Sequence, residues 1–337
     1  MIPAMPPILV SYHYAKNHNT FVTKIIRAHA DAGHSPVMID SGAFSAFKIG
    51  AKIDIDAYID FCKGFDGHPN VWGCVMLDVI GDWDASRRNL DYMLEAGVTP
   101  MPVLTIDCPL SVLDELKQVN KRICIAGGSM DFPGSKAAMC RRYRQAANDH
   151  PDCEFHGLAF VKVPEMYQVG LASVDSSSFC SGKRYATMQR FDWHTGTIKG
   201  HSYPNARAKI TKIPDLWKYV TDCRVPKAHW QNKTESIKSV GFFSFSAAFA
   251  HVCQSLYARR HGVRYFLAIN SAMPSYYWIL CSAMNASDDF RSFDYPKALA
   301  DLLRLKSYSK DDRVKATADA AAEAAARYDH AHKRREA

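Results

Sequence analysis

The chain from residue 37 to residue 44 reads Val37-Met-Ile-Asp40-Ser-Gly-Ala-Phe44. A short, largely apolar run of this kind is typical of a strand buried on both faces, as in a parallel sheet, and we read residues 37–44 as a candidate strand. Similar short apolar runs recur at residues 8–14, 71–80, 101–106, 123–126, 155–161, 171–174 and 265–269. The sequence therefore predicts eight strands.

Stretches with helical spacing of apolar residues separate most of these strands, at residues 21–32, 55–65, 83–96, 110–119 and 137–148. Regular alternation of buried strands and amphipathic helices predicts an α/β fold, and eight such units favour a (β/α)8 TIM barrel over residues 1–310. The interval 181–244 is rich in aromatic, histidine and basic residues, and we expect it to be a subdomain inserted between strands 7 and 8. Residues 311–337 are charged and rich in alanine, which predicts a C-terminal helical tail.

Composition excludes several classes of protein. Of the 337 residues 47% are hydrophobic, and 42 Lys and Arg against 34 Asp and Glu give a net charge of +8. A chain this apolar can bury a core, so disorder is not its main state. Its 10 cysteines are scattered without a C-x-x-C pair, which is typical of reduced thiols in the cytoplasm. No apolar stretch approaches the roughly 18 residues of a membrane span, so we expect a cytoplasmic protein with no membrane partner.

Polar residues follow several of the predicted strands. In a TIM barrel the carboxyl ends of the strands build the active site, although a single aspartate there can simply cap a helix or set a turn. Several carboxylates at one mouth would repel each other, and such crowding is typical of catalytic sites. The residues in question are Asp40, Asp78, Asp107, Asp175 and the pair Gly127-Gly128.

Carboxylates in this arrangement favour one kind of chemistry. With one carboxylate as nucleophile and another as general acid or base, the natural reaction is substitution at the anomeric carbon of a sugar. Metal-dependent hydrolysis is the competing interpretation, and it needs histidine ligands at strand ends. The chain has a His-x-His pattern only at His330-Ala-His332, in the predicted tail.

Residues 40–45, Asp-Ser-Gly-Ala-Phe-Ser, resemble the D-S-G-[GA]-[FY] motif of the tRNA-guanine transglycosylase superfamily, and in this form they look most like the DpdA-type DNA 7-deazaguanine transglycosylases of phages and bacteria. Similar segments follow in order at residues 75–78, 126–128, 156–158, 162–165, 174–176 and 182–184. The likeness spans residues 8–285. It implies an enzyme that exchanges guanine in nucleic acid for a free 7-deazaguanine base, such as a queuosine precursor.

The resemblance also implies roles for individual residues. Asp175 would be the nucleophile that attacks C1′ of the target nucleotide, and Asp40 the acid and base that protonates the departing guanine and deprotonates the incoming base. Asp78 would accept hydrogen bonds from N1–H and the N2 amino group of the purine. The other residues implied to bind the base are Ser41, Phe44, which would stack on the ring, and Gly127 and Gly128, which would offer backbone groups.

Basic and aromatic residues in the predicted insert suggest a contact with nucleic acid. Lys183 and Arg184 directly follow the nucleophile loop and could bind the phosphates that flank a flipped nucleotide. Trp193, Lys199 and Arg207 belong to a segment that mixes aromatic and basic groups, as proteins that bind unpaired bases do. The alternative is a surface lobe with solvated charges.

The tRNA enzymes carry a C-x-C-x-x-C zinc cluster, which this sequence lacks. Suitable ligand types occur only with a different spacing, and cysteine and histidine on an apolar helix are more typical of a core. We therefore expect no cofactor, with a structural zinc as the less favoured alternative. Its candidate ligands would be Cys223, His229, His251 and Cys253.

Three hypotheses follow. The first is a DNA-guanine transglycosylase whose partners are double-stranded DNA and a free base, acting in the cytoplasm, or in the host cytoplasm if a phage encodes it. The second keeps the chemistry and replaces DNA with tRNA, and the third is a non-catalytic subunit that binds nucleic acid. A homodimer is compatible with each. His156 and Asp107 stay outside the predicted catalytic set, because a core histidine bonded to a backbone carbonyl and a helix-capping aspartate explain them.

Overall fold

The structure is a computed structural model that describes residues 6–16, 27, 36–65, 67–127, 136–161, 164–180, 182, 185–202, 211–212, 214–231, 242–269 and 294–307. Its centre is an eight-stranded parallel sheet in the order β3-β2-β1-β10-β7-β6-β5-β4. The strands of this sheet are β1 (Ile8–Ser11), β2 (Val37–Asp40), β3 (Val71–Cys74), β4 (Val103–Leu104), β5 (Arg122–Ile125), β6 (Glu154–Gly157), β7 (Ser173–Ser176) and β10 (Arg264–Ile269). The predicted α/β class with a parallel sheet is therefore confirmed.

The sheet curls so that its two outer strands meet. Val75, directly after β3, forms a parallel bridge with Met101, directly before β4. The amide of Met76 donates to the carbonyl of Met101 at 3.0 Å, and the amide of Met101 donates to the carbonyl of Cys74 at 2.7 Å. This arrangement is compatible with a TIM-like fold and directs the carboxyl ends of the strands toward one rim.

Four of the five predicted helices are confirmed, as Ile55–Lys63, Trp83–Glu95, Leu113–Val119 and Lys136–Asp149. Two begin at side-chain caps: Asp54 accepts the amides of Asp56 and Ala57, and Asp82 accepts that of Ala85. The predicted helix at 21–32 lies outside the described residues, apart from the helical Arg27. The helices of at least four residues are Tyr12–Ala15, Ala43–Lys48, Ile55–Lys63, Trp83–Glu95, Leu113–Val119, Lys136–Asp149, Pro214–Asp222, Lys227–Gln231, Phe242–Arg260 and Tyr295–Ser307.

Several predicted strands are too long, including those at 37–44 and 155–161, which end at Asp40 and Gly157. The first predicted strand continued to residue 14, but the chain turns into a helix at Tyr12, whose ring centroid lies 5.2 Å from those of both Tyr58 and Phe61. Packing on the neighbouring helix therefore outweighs the strand pattern. The third predicted strand continued to residue 80, but β3 ends at Cys74, and only Val75 adds a bridge beyond it.

The described part of the predicted insert contains an antiparallel hairpin, β8 (Thr187–Asp192) and β9 (Thr197–Ser202), followed by two helices. The hairpin packs on the helix Phe242–Arg260: the amide of Gln189 donates to Ser246 Oγ at 3.2 Å, and the ring of Phe191 lies 5.6 Å from that of Tyr257. The predicted tail, residues 311–337, lies outside the described residues.

A tryptophan flanked by two guanidinium groups ties the amino ends of four strands together. Arg122 and Arg264 lie over the ring of Trp72, at 5.3 and 5.8 Å from its centroid. Glu154 forms ion pairs with both arginines, at 2.9 and 3.2 Å. These residues belong to β3, β5, β6 and β10, and they lie at the amino ends of the strands, where TIM-like proteins concentrate stabilising contacts.

Within the described ranges, no helix is both long and apolar enough to cross a membrane. The cysteines whose side chains are described are all free thiols, and most are buried in the core. They are Cys62, Cys74, Cys108, Cys124, Cys140, Cys153, Cys223 and Cys253.

A buried tyrosine hydroxyl should contribute measurably to stability. Tyr58 is fully buried, and its hydroxyl donates to the carbonyl of Val75 at 2.6 Å, which ties the helix Ile55–Lys63 to the segment that leads to Asp78. We expect Tyr58→Phe to lower the free energy of unfolding by about 1–2 kcal/mol, because the carbonyl loses its partner in the interior. Urea unfolding measures the change.

Tyr92→Phe is the matched control, because the hydroxyl of Tyr92 bonds Asp56 at an exposed site. We expect it to leave the free energy of unfolding almost unchanged, because water can replace the lost hydrogen bond there. Equal losses in the two variants would contradict the assignment.

Candidate active site

The carboxylates of Asp40, Asp78 and Asp175 line one pocket of about 290 Å³ at the carboxyl ends of the strands. Asp40 is the last residue of β2 and Asp175 lies in β7, whereas Asp78 lies in the segment after β3, where its amide donates to the carbonyl of Met76 at 3.1 Å. The structure thus brings together three of the four aspartates that the sequence singled out.

The fourth aspartate, Asp107, caps a helix. Its Oδ2 accepts the amide of Trp83 at 3.0 Å, at the start of the helix Trp83–Glu95. The sequence suggested a cap on the helix that follows Asp107, but the helix that is capped precedes it along the chain. Asp107 does not line the pocket.

The motif at residues 40–43 forms a tight turn from β2 into the helix Ala43–Lys48. Asp40 Oδ2 accepts the amide of Gly42 at 2.9 Å, and Ser41 Oγ accepts the amide of Ala43 at 3.2 Å. Gly42 has φ +79°, a left-handed conformation that favours glycine. Ser41 is fully buried and is not among the residues that line the pocket, and its hydroxyl supports the turn; its role in substrate binding stays a prediction.

The surroundings of Asp40 favour its protonated form. Burial raises the pKa of Asp40 to about 7, and the negative charges of Asp175 and Asp78 add to the shift. The amide of Gly42 and the hydroxyl of Ser11 act in the opposite direction. Burial likewise raises the pKa of Asp78, to about 6. A carboxyl group that titrates near neutral pH can both donate and accept a proton there.

Asp175 is held through one of its two carboxylate oxygens. Its Oδ1 accepts the amide of Ala159 at 2.7 Å and contacts Nε2 of His156 at 3.2 Å. Ala159 has φ +51°, a conformation that non-glycine residues seldom adopt. No hydrogen bond to Oδ2 is found among the described residues, which leaves this oxygen available to a ligand in the pocket.

Sequence reasoning missed the contact between His156 and Asp175. It favoured a core histidine bonded to a backbone carbonyl, but the fully buried ring bonds two side chains of β7 instead: Nδ1 lies 2.8 Å from Ser173 Oγ, and Nε2 contacts Asp175. Because side chains alternate along a strand, residues 173 and 175 of β7 point to the same face of the sheet. This alternation indicates that the two side chains share surroundings, but not which residue contacts them. The pairing of His156 with Ser173 depends on the register between β6 and β7.

An aromatic residue and a glycine also line the pocket wall. Phe44 and Gly127 both line it, as the resemblance implied for groups that bind a base, whereas Gly128 lies outside the described residues. Lys48, which the sequence did not single out, also lines the pocket, and its Nζ lies 4.2 Å from the centroid of the Phe44 ring. This lysine adds a positive charge at the exposed edge of the pocket.

Two of the predicted nucleic-acid contacts, Trp193 and Lys199, have partners within the protein. Trp193 packs against Phe191 at 5.0 Å between centroids, and the guanidinium of Arg260 lies 5.2 Å from the Trp193 ring centroid. Lys199 pairs with Asp192 at 2.5 Å and lowers the pKa of Asp192 to about 2. Neither Trp193 nor Lys199 lines the pocket. Lys183, Arg184 and Arg207 lie outside the described residues.

The candidate zinc ligands do not form a cluster. Across the part of the chain that the structure describes, no three His, Cys, Asp or Glu side chains gather in a metal-binding arrangement. His251 bonds the hydroxyl of Tyr265 at 2.9 Å, and burial lowers the pKa of His251 to about 3. His229 bonds a different tyrosine, Tyr295. The two other candidates, Cys223 and Cys253, are buried in the core.

Neither a scan against protein-family models nor a search of curated proteins finds a match to this chain. A functional assignment therefore rests on the geometry of the pocket and on the resemblance of its short motifs.

The turn at Gly42 should tolerate no side chain. A Cβ there would lie 2.4 Å from His13 Cβ and 2.5 Å from Ser11 Oγ, in addition to the strain of the left-handed backbone. We expect Gly42→Ala to lower the free energy of unfolding by about 3 kcal/mol or more, since strain and overpacking add. Denaturant unfolding measures the loss.

Gly50→Ala is the matched control for backbone strain, because Gly50 has φ +66° and open space around its Cβ position. We expect a loss of about 1 kcal/mol for this variant. If Gly42→Ala lowered the free energy of unfolding no more than Gly50→Ala does, the result would contradict the close packing of Ser11 and His13 against the turn.

The raised pKa values predict how stability depends on pH. Because the pKa of Asp40 is about 7 in the folded chain and near 3.8 ordinarily, the native state binds more protons than the unfolded chain between about pH 4 and 7, and the free energy of unfolding falls as the pH rises through this window. Asp40→Asn removes this cost. We expect the variant to be more stable than the parent by about 2 kcal/mol near pH 8 and to lose this advantage near pH 4. Urea unfolding at both pH values measures it, and an advantage that does not change with pH would contradict the shift.

Proposed function

We propose that this chain is a DNA-guanine transglycosylase that exchanges guanine in DNA for a free 7-deazaguanine base through a covalent intermediate on Asp175. We also propose that the curled sheet is a (β/α)8 barrel with its insert between the seventh and eighth strands. The observation that carries the proposal is that one pocket holds three carboxylates in unlike surroundings. Unlike surroundings are how a protein gives carboxylates separate chemical roles.

The first step proposed is attack on the target nucleotide. Asp175 Oδ2 forms a bond to C1′ while the bond from C1′ to guanine N9 breaks, and the bonding pair leaves with the base. Asp40 in its protonated form supplies a proton to the departing guanine, which its pKa of about 7 allows near neutral pH. The product is a glycosyl ester on Asp175.

The second step reverses the first with a different base. Asp40, now a carboxylate, takes the proton from N9 of the incoming 7-deazaguanine, and N9 attacks C1′ from the face that guanine left. The bond between C1′ and Asp175 breaks, and its electron pair returns to the carboxylate. Two inversions retain the configuration of the sugar, and no electrons are gained or lost overall.

The pocket suits a single purine. A volume of about 290 Å³ is at the small end for ligand sites, as expected for one flipped base. Asp78 can accept hydrogen bonds from N1–H and the N2 amino group, the edge that distinguishes guanine from adenine. Phe44 offers a ring for stacking, and Gly127 leaves room for close approach to the backbone.

Two features of the sequence favour DNA over tRNA as the substrate. Residues 40–45, Asp-Ser-Gly-Ala-Phe-Ser, look most like the motif of the DNA enzymes, and the C-x-C-x-x-C zinc cluster of the tRNA enzymes is missing. Competition between duplex DNA and a tRNA transcript for a labelled base separates the two. Efficient exchange into tRNA with none into DNA would replace the first hypothesis by the second.

The Asp175→Asn variant tests the proposed nucleophile. We expect the parent to incorporate labelled guanine or a 7-deazaguanine into duplex DNA and to form an adduct that survives denaturation. Asp175→Asn should form no adduct and lose at least about a thousandfold in exchange rate, because the amide is a far weaker nucleophile.

Asp107→Asn is the matched control, since Asp107 also follows a parallel strand but caps a helix outside the pocket. It should keep the exchange rate of the parent within a few-fold. Binding of DNA without any adduct would favour the non-catalytic hypothesis, and exchange that is unchanged in Asp175→Asn would refute the proposed mechanism.

A further inference from the structure

His156 is a buried polar residue whose partners lie in the proposed nucleophile's own strand. Its ring is fully buried, with the rings of Trp72 and Phe266 both 5.9 Å away between centroids. Both ring nitrogens nonetheless have partners, Nδ1 with Ser173 Oγ at 2.8 Å and Nε2 with Asp175 Oδ1 at 3.2 Å. Only hydrogen bonding offsets the cost of burying so polar a ring.

The two contacts are compatible with one tautomer of a neutral ring. With Nε2–H as the donor to the carboxylate of Asp175, Nδ1 accepts, and the hydroxyl of Ser173, which can donate or accept, is the donor that faces it. The acceptor oxygen of Asp175 favours this tautomer, and Ser173 supplies a partner for the other nitrogen.

We propose that His156, bonded through Nδ1 to Ser173 and through Nε2 to Asp175, is a positioning residue that holds Asp175 with Oδ2 directed toward the pocket. The inference deepens the proposed function and rests on it. The amide of Ala159 bonds the same oxygen as His156, so the two donors together occupy Oδ1 and leave Oδ2 as the attacking atom.

The same donors act in both steps of the exchange. When Oδ2 bonds to C1′, Oδ1 becomes the carbonyl oxygen of the ester and keeps both hydrogen bonds. When the incoming base displaces the ester, the electron pair of the C1′–Oδ2 bond returns to the carboxylate, and the donors stabilise the negative charge that develops. The proton of His156 Nε2 stays on nitrogen throughout.

Two variants of similar size separate this role from core packing. His156→Gln keeps an N–H donor, whereas His156→Met fills the site without one. For folded proteins of comparable stability, we expect His156→Met to lower kcat by about 10- to 100-fold, the rate equivalent of a hydrogen bond to a charged group. The KM for the free base should stay within a few-fold, because Asp78 and Gly127 are untouched. His156→Gln should recover most of the rate, and His156→Met should accumulate the covalent adduct, since the departure of Asp175 from the ester is slowed.

A measurement without substrate keeps this inference separate from the proposed function. ¹⁵N NMR of the protein labelled at histidine should show His156 protonated at Nε2 and bare at Nδ1, and Ser173→Ala should weaken that preference. If the parent forms no adduct with any nucleic acid while the tautomer is as expected, the proposed function fails and the hydrogen-bond arrangement stands. A proton on Nδ1 would overturn the inference, and so would equal loss of rate in His156→Gln and His156→Met or full activity in His156→Met.

Discussion

Mutual repulsion among three carboxylates in a half-enclosed pocket is the constraint on which the rest of the structure depends. Asp40 and Asp175 come from β2 and β7, which are separated in the sheet by β1 and β10, so they meet only because the sheet curls. Asp78 joins them from the segment after β3, whose end is fixed by the bridge between Val75 and Met101. Like charges this close disfavour ionisation, and the pKa of Asp40 rises to about 7 for this reason as well as from burial.

The protein resolves this repulsion by giving the carboxylates different surroundings. Asp175 accepts a hydrogen bond on Oδ1 from the backbone of Ala159 and contacts Nε2 of His156. Asp40 has the amide of Gly42 and the hydroxyl of Ser11 nearby, but burial and its charged neighbours dominate, raise its pKa and favour the protonated form. The proposed double displacement at a sugar carbon uses this difference, with Asp175 as nucleophile and Asp40 as proton donor.

Sequence reasoning predicted the elements that depend on local pattern. Short apolar runs in the sequence predicted the parallel strands. The aspartates near the ends of these strands include the three that line the pocket. The tertiary contacts were not predictable in this way. His156 meets Asp175 because of the register of β6 against β7, and Ser41 turns into the interior because the turn needs its hydroxyl. Lys199 has the basic character of a phosphate contact, but its partner Asp192 faces it across the hairpin.

The central claim is that the charge of Asp175 acts on Asp40 across the pocket, and ¹³C NMR titration of the Asp40 carboxyl tests it most directly. The account predicts a pKa of about 7 for Asp40 in the parent protein and a clearly lower pKa in Asp175→Asn. Of the two neighbouring charges that raise the pKa of Asp40, this substitution removes the one with the larger effect. A pKa of Asp40 near the ordinary aspartate value in the parent, or one that Asp175→Asn leaves unchanged, would contradict the account.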